Sequence, residues 1–185
     1  MYTDGVESNL LRVGSGNTTL NLYGQDVLRN LPCISFDENT GSVLRMNVSA
    51  DNSFSTFEFN SKGVIELAIA EGASLKIKKL TTKNGVKSIS NAEIVFYDYS
   101  ADAFLLEDST LTAEDDKLYI PSVDSYIKLT AYDEAGNLLV GDWVYDWSEE
   151  LGVGKLVLNA VPEPEAAAVL LGVLALALAA RRKKK

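Results

Sequence analysis

The sequence predicts an all-β body followed by one short C-terminal transmembrane helix. Apolar and polar residues alternate over short segments, as in Leu20-Asn21-Leu22, and this period of two is typical of a half-buried strand. Gly, Asn and Asp cluster between these segments, as tight turns require. Near the C-terminus, an unbroken apolar run at 166–180 precedes five basic residues.

Eleven segments of the body have the length and composition of strands. Between Cys33 and Leu80 they begin about every 10 residues, a spacing that suits a β-solenoid and a β-sandwich equally. Residues Tyr126–Tyr145 predict a hairpin that turns at Asp133–Asn137. The predicted strands are Thr18–Tyr23, Cys33–Phe36, Val43–Val48, Thr56–Phe59, Val64–Ile69, Ser74–Leu80, Ala92–Tyr97, Lys117–Ile120, Tyr126–Tyr132, Leu138–Tyr145 and Lys155–Leu158.

The segment from Gly63 to Ile77, GVIELAIAEGASLKI, resembles the rungs of the right-handed β-helices of autotransporter-like exported proteins. Its order of small residues, turn and strand carries that similarity. The resemblance implies that the body, residues 1–160, is the C-terminal end of a right-handed β-solenoid, closed by a hairpin cap around 117–159. A β-sandwich is the alternative.

Charge is distributed unevenly along the chain. All 26 acidic residues lie at or before Glu165, whereas five of the 17 basic residues form the final run, so residues 1–180 carry −14 and the last five residues carry +5. Because phosphate binding needs basic surface, we expect no nucleic-acid partner for this body.

The residue inventory excludes several kinds of catalysis. The chain has no His, which removes the Ser-His-Asp and Cys-His mechanisms and His-ligated zinc. Cys33 is the single cysteine, so no intrachain disulfide can form, and we expect a buried small side chain there. We expect no cofactor and no enzymatic activity.

The C-terminal segment, 161–185, has three successive parts. Pro162 and Pro164 disfavour both a helix and a central strand, leaving this stretch extended. The run at 166–180 is rich in Ala and Leu and, as a helix, would be about 22 Å long. Terminal lysines that reach the membrane surface can compensate for this short span. A buried soluble helix is the alternative, but the run lacks a polar face.

These parts resemble the PEP-CTERM sorting signal of Gram-negative bacteria that make exopolysaccharide. The resemblance implies an exosortase, a membrane-embedded protease-transpeptidase, as partner, with the lipid bilayer as a second partner and exopolysaccharide as a further candidate. It assigns the recognition motif to Pro162, Glu163 and Pro164, and the cytoplasmic stop to Arg181, Arg182, Lys183, Lys184 and Lys185.

The basic end predicts a cytoplasmic C-terminus, which puts the acidic body outside. We therefore expect export and inner-membrane anchoring through the helix, followed by the outer envelope, the cell surface or the extracellular matrix. The first residues, MYTDGVE, lack the basic start and apolar stretch of a secretory signal peptide. We accordingly expect this chain to be the C-terminal part of a longer reading frame.

Three aromatic residues share one face of a predicted strand: Trp143, Tyr145 and Trp147. One interpretation is a platform for stacking sugars, and the other is that the rings close the end of the β-core. An acidic stretch could ligate calcium, which takes many oxygen ligands, or it could simply be solvated surface. Its spacing matches neither the EF-hand nor the glycine-rich nonapeptide repeat. Its residues are Asp98, Asp102, Glu107, Asp108, Glu114, Asp115 and Asp116.

The sequence thus favours an exported envelope protein of structural or adhesive type. Two alternatives are left open: the C-terminal piece of a polysaccharide-active enzyme, and a carbohydrate-binding module that uses the aromatic row.

Overall fold

The computed structural model describes residues 10–36, 41–60, 62–82 and 91–160, and over these ranges the protein is all-β. The predicted fold class is confirmed at this level. The strands are β1 (Leu10–Val13), β2 (Gly16–Leu22), β3 (Cys33–Phe36), β4 (Ser42–Val48), β5 (Asn52–Phe59), β6 (Val64–Ile69), β7 (Leu75–Thr82), β8 (Glu93–Tyr97), β9 (Phe104–Leu106), β10 (Thr112–Glu114), β11 (Lys117–Ile120), β12 (Ser125–Tyr132), β13 (Leu138–Leu139), β14 (Gly141–Ser148) and β15 (Val153–Ala160).

The helical content of the described ranges is a single 3-10 turn at Pro121–Val123. No helix in the same ranges is both long enough and apolar enough to cross a membrane. The predicted transmembrane helix at 166–180 lies outside the described residues.

The first nine strands alternate between two sheets. Sheet 1 has the spatial order β1-β3-β5-β7-β9-β15-β14, and sheet 2 the order β10-β11-β12-β8-β6-β4-β2, with β13 paired to β12. Parallel strands cannot be joined by a tight turn. Here the chain forms one strand in the opposite sheet before it returns to pair with the previous strand of the same sheet.

Pairing is parallel through most of the molecule and antiparallel on one side of it. Within β1 to β9 every pair of neighbours is parallel, and β12 continues sheet 2 in parallel beside β8. The antiparallel pairs join β10 to β11, β11 to β12, β12 to β13, β14 to β15 and β15 to β9. The later strands therefore close one side of the parallel stack.

One hydrophobic core lies between the two sheets. Alternate side chains of β4 and β6 are buried, as the period of two requires. The sheets meet through aromatic rings: Phe96 of sheet 2 lies 5.5 Å from Phe104 and 5.6 Å from Trp143, both of sheet 1, between ring centroids. Burying each such large apolar side chain contributes about 1.5–3 kcal/mol to stability.

The alternation breaks at the same level in β5 and β7. Ser55-Thr56 and Lys78-Lys79 are each two successive residues outside the core, flanked by buried residues on both sides. Thr56 pairs with Lys79, so the two irregularities lie side by side. Because both strands depart from the regular alternation together, their parallel register is the same on both sides of the break.

Side chains on the outer faces connect strands of the same sheet. Asn47 donates to Asn21 at 2.7 Å, and Arg45 forms a 2.7 Å ion pair with Glu66. The partners are 26 and 21 residues apart in sequence. One circuit of the chain, from a strand of sheet 2 through sheet 1 and back, thus brings these residues side by side on adjacent strands. Their polar side chains then bond across the outer face of sheet 2.

Asn52 fixes the connection between β2 and β3. This buried amide, 2% exposed, donates to the carbonyls of Gly24 and Ala50 at 2.9 Å each. Its carbonyl oxygen accepts a longer bond of 3.4 Å from the N–H of Leu28. The side chain therefore satisfies backbone groups that no strand pairs, a common requirement for buried loop segments.

Three short strands were not predicted from the sequence: β1, β9 and β10 have four, three and three residues. Segments of this length show too little alternation to be recognised. By contrast, Cys33–Phe36, Val64–Ile69 and Lys117–Ile120 have the predicted bounds.

The predicted strand Leu138–Tyr145 is wrong as a single element. Leu138 and Leu139 pair with β12 around the predicted turn at Asp133–Asn137, but β14 belongs to the other sheet. The chain crosses at Val140, which is 65% exposed. The crossing places Trp143 in the core, whereas continued pairing with β12 would keep this segment in sheet 2.

We predict that Asn52→Ala lowers the free energy of unfolding by about 2–3 kcal/mol, because three hydrogen bonds to backbone groups are lost. Chemical denaturation of the purified protein measures the change. Asn47→Ala is the matched control, since it removes an exposed amide pair and should cost about 1 kcal/mol or less. Equal losses in the two variants would contradict the anchoring role of Asn52.

Candidate functional site

The aromatic row occupies β14, at the edge of sheet 1 where the antiparallel strands are added. Trp143 is buried, Tyr145 and Trp147 are half-buried, and the residues between them are exposed. The burial therefore follows the period of two expected for a strand with one face inward. The three rings nevertheless have different surroundings.

Trp143 belongs to the hydrophobic core. It is 3% exposed and packs against Phe96 at 5.6 Å and against Tyr99 at 5.2 Å, the latter edge to face. Its faces are thus occupied by protein rings and offer no surface to a sugar. For this residue the structure favours the interpretation that a large ring closes the end of the core.

Tyr145 holds β14 and β15 against the segment that follows β9. Its hydroxyl donates to the backbone carbonyls of Leu106 at 3.2 Å and Asp108 at 2.8 Å. Burial, and secondarily the charge of Asp108, raises the pKa of this phenol well above its usual value. The ring lies on the backbone of Gly154, where an added Cβ would be 2.2 Å from the ring carbon Cζ.

Tyr99, which was not predicted as a site residue, has a related role. The register of β9 with β15 reaches Lys155 and goes no further. Beyond that point the Tyr99 hydroxyl donates to the Leu156 carbonyl and accepts from the Leu158 N–H at 3.2 Å. Burial raises the pKa of Tyr99 to about 12. The Tyr99 hydroxyl therefore satisfies two backbone groups of β15 that β9 is too short to reach. No local sequence pattern predicts this long-range contact.

Trp147 lines an open groove beside the turn between β14 and β15, which we call the hairpin groove. The groove has a volume of about 560 Å³, within the range of small-molecule sites. Apolar Leu151 and Val153 line it, and Leu151 is 72% exposed. The polar lining includes Asp102 and Lys155, whose side chains form a 2.9 Å ion pair.

A second groove of about 470 Å³ adjoins the first, and Asp102 lines both. We call it the turn groove, because the β6–β7 turn at 70–74 forms one wall. The segment from Asp98 to Ala103 forms another wall, and Glu71 and Glu134 add carboxylates. The two grooves share Asp102, and each combines polar and apolar lining residues.

The acidic residues considered for calcium are spread over the surface. Glu107 pairs with Lys76 at 3.1 Å, and Asp108 accepts hydrogen bonds from the N–H and hydroxyl of Thr110. Within residues 10–36, 41–60, 62–82 and 91–160, no three His, Cys, Asp or Glu side chains lie close enough to hold a metal ion.

Cys33 lies half-buried on β3. Burial, with a smaller contribution from the charge of Glu58, raises its pKa to about 11. The thiol is therefore protonated at neutral pH, whereas a nucleophilic cysteine needs a lowered pKa.

The remaining predicted site residues lie outside the described residues. These are the sorting motif, Pro162, Glu163 and Pro164, and the basic stop, Arg181, Arg182, Lys183, Lys184 and Lys185.

Comparison with known proteins gives no relative for this chain: no protein-family model, no curated protein and no solved structure matches it.

We predict that Gly154→Ala destabilises the protein by about 1–3 kcal/mol, because the added methyl group overlaps the Tyr145 ring. In a Tyr145→Ala background the same substitution should cost far less, and denaturation of the four variants gives the coupling. Gly24→Ala is the control, since nothing lies within 4 Å of a Cβ there. A loss at Gly154 that persists without the Tyr145 ring would rule out this contact as its cause.

We predict that Tyr99→Phe lowers the free energy of unfolding at neutral pH by about 1–3 kcal/mol, because two backbone groups lose their partner. The gap between wild type and variant should narrow as pH rises from 10 to 12. In this window the unfolded tyrosine ionises before the buried one, so wild-type stability falls.

Denaturation at a series of pH values checks this narrowing. Tyr23→Phe, at a site that is 77% exposed, serves as the control. A gap that stays constant through pH 12 would contradict the assignment.

Proposed function

We propose that this chain is an exported envelope protein of structural or adhesive type, whose last 25 residues are a PEP-CTERM-like sorting and anchoring signal. One observation carries the proposal. The Pro-Glu-Pro motif at 162–164, the apolar run at 166–180 and the basic residues 181–185 follow one another in the order that the signal requires.

The proposed topology has the C-terminus in the cytoplasm and the body outside. Five consecutive cations favour the cytoplasmic side of a membrane, while the body, residues 1–160, carries a net charge of −12. The partners are an exosortase-type enzyme that acts near Pro162–Pro164 and the bilayer that holds the apolar run. From the inner membrane the body passes to the outer envelope, the cell surface or the extracellular matrix.

We further propose that the body is the C-terminal end of a right-handed β-solenoid. The alternation of strands between two sheets and the parallel register within each sheet support it. So do the outward contacts that recur after one circuit, such as Asn21 with Asn47 and Arg45 with Glu66. In a solenoid each circuit contacts its neighbours alone, and these contacts are of that kind.

In this proposal the antiparallel strands form the hairpin cap. β14 and β15 pair over eight residues, from Gly141 with Ala160 to Ser148 with Val153. A cap protects the last parallel strands from pairing with another chain. Extended outer faces and a closed end suit a structural or adhesive protein, because repeat architectures present long continuous surfaces to their partners.

We predict that the mature protein in its native host ends near Val161–Glu165, because the exosortase removes the apolar run and the basic tail. Mass spectrometry of C-terminal peptides from surface-extracted protein checks this. The triple variant Pro162→Ala, Glu163→Ala, Pro164→Ala should keep its tail to Lys185 and accumulate in the membrane fraction.

Glu150→Ala, in the exposed β14–β15 turn, is the control and should be processed as the wild type is. A wild-type protein that retains an intact tail in the membrane would make the segment a permanent anchor and overturn the processing step. A body found in the cytoplasm would overturn the proposal as a whole.

A further inference from the structure

We propose that the hairpin groove binds a neutral polysaccharide, with the carbon surface of Trp147 as the contact for a sugar ring. The inference adds a ligand to the proposed surface protein. It depends on the groove, whose volume is about 560 Å³, and not on the aromatic row as a platform, since Trp143 is buried.

Trp147 is oriented so that its polar atom is buried and only ring carbon can be exposed. Its indole Nε1 is buried and has no hydrogen-bond partner among the described residues. Any part of the ring that solvent reaches is therefore carbon. Trp147 also pairs with Gly154 across the β14–β15 ladder, so its backbone is held by a strand and not by a loop. A preorganised aromatic side chain loses little conformational freedom when a ligand packs on it.

Polar groups around the Trp147 ring can form hydrogen bonds with sugar hydroxyls. Asp146, Ser148 and the Asp102–Lys155 ion pair line the same groove. Sugar hydroxyls both donate and accept hydrogen bonds, so they can bond to carboxylates and to an ammonium group alike. Exposed Leu151 adds apolar surface beside these groups. A few fixed polar groups around apolar and aromatic surface are typical of small-molecule sites.

Charge and shape favour a neutral polymer as the occupant. The hairpin groove contains two carboxylates and one ammonium group, and the adjoining turn groove adds Glu71, Asp98 and Glu134. An acidic polysaccharide would be repelled by this surface and by the negative body. Asp102 lines both grooves, so we expect a ligand several sugar units long that contacts Trp147 to reach the turn groove as well.

The test is calorimetric titration of the purified 185-residue chain, kept in a detergent without a sugar headgroup. The probes are the neutral hexasaccharides cellohexaose, laminarihexaose, maltohexaose and mannohexaose, and an acidic galacturonic acid hexamer. We expect at least one neutral probe to bind and the acidic hexamer not to bind. Trp147→Ala should weaken the binding by about tenfold or more, a loss that calorimetry readily detects.

Two further variants keep the test decisive. Leu151→Glu changes a side chain that is 72% exposed, so the fold should survive while binding weakens. Tyr126→Ala removes a ring that is 51% exposed on β12 and lines neither groove, so binding should be unchanged. Circular dichroism confirms that each variant is folded.

The proposal is overturned if no neutral probe binds, if Trp147→Ala and Leu151→Glu bind as the wild type does, or if the acidic hexamer binds equally well. Because the titration uses purified protein, its failure would leave the proposed surface location untouched. Failure of the localisation experiment would likewise leave the binding result intact.

Discussion

Parallel pairing between successive circuits of the chain is the constraint on which this structure depends. A parallel neighbour cannot follow through a tight turn, so the chain has to visit the other sheet before it returns. This requirement produces two sheets at once and directs alternate side chains of each strand into the space between them. It also explains why contacts such as Asn21 with Asn47 join residues far apart in sequence. Parallel pairing therefore produces both the core between the sheets and the contacts on their outer faces.

A parallel stack has to end, and one cluster of aromatic side chains lies at that end. Antiparallel strands replace parallel ones, and β9 is too short to pair with the whole of β15. Trp143 fills the space between the sheets, while the hydroxyls of Tyr99 and Tyr145 bond to backbone groups there. These side chains compensate for incomplete strand pairing, because a buried backbone group without a partner would be costly.

The same end of the molecule carries the candidate ligand surface. Two grooves lie there, and Asp102 lines both of them. Residues with the same spacing on β14 thus differ in role: Trp143 packs inside, Tyr145 binds neighbouring backbone, and Trp147 lines the hairpin groove. The proposed sorting signal occupies a different part of the sequence, residues 161–185.

The sequence by itself determined the all-β class, most strands, the turn at Asp133–Asn137 and the inward face of β14, because a period of two and turn residues are local signals. It also carries the whole case for the sorting signal. The tertiary structure alone decided the pairing order, the crossing at Val140, and the contacts of Tyr99 and Trp147. Those features depend on which strands become neighbours, and the neighbouring strands are distant in sequence. Local alternation of apolar and polar residues does not specify which strands pair.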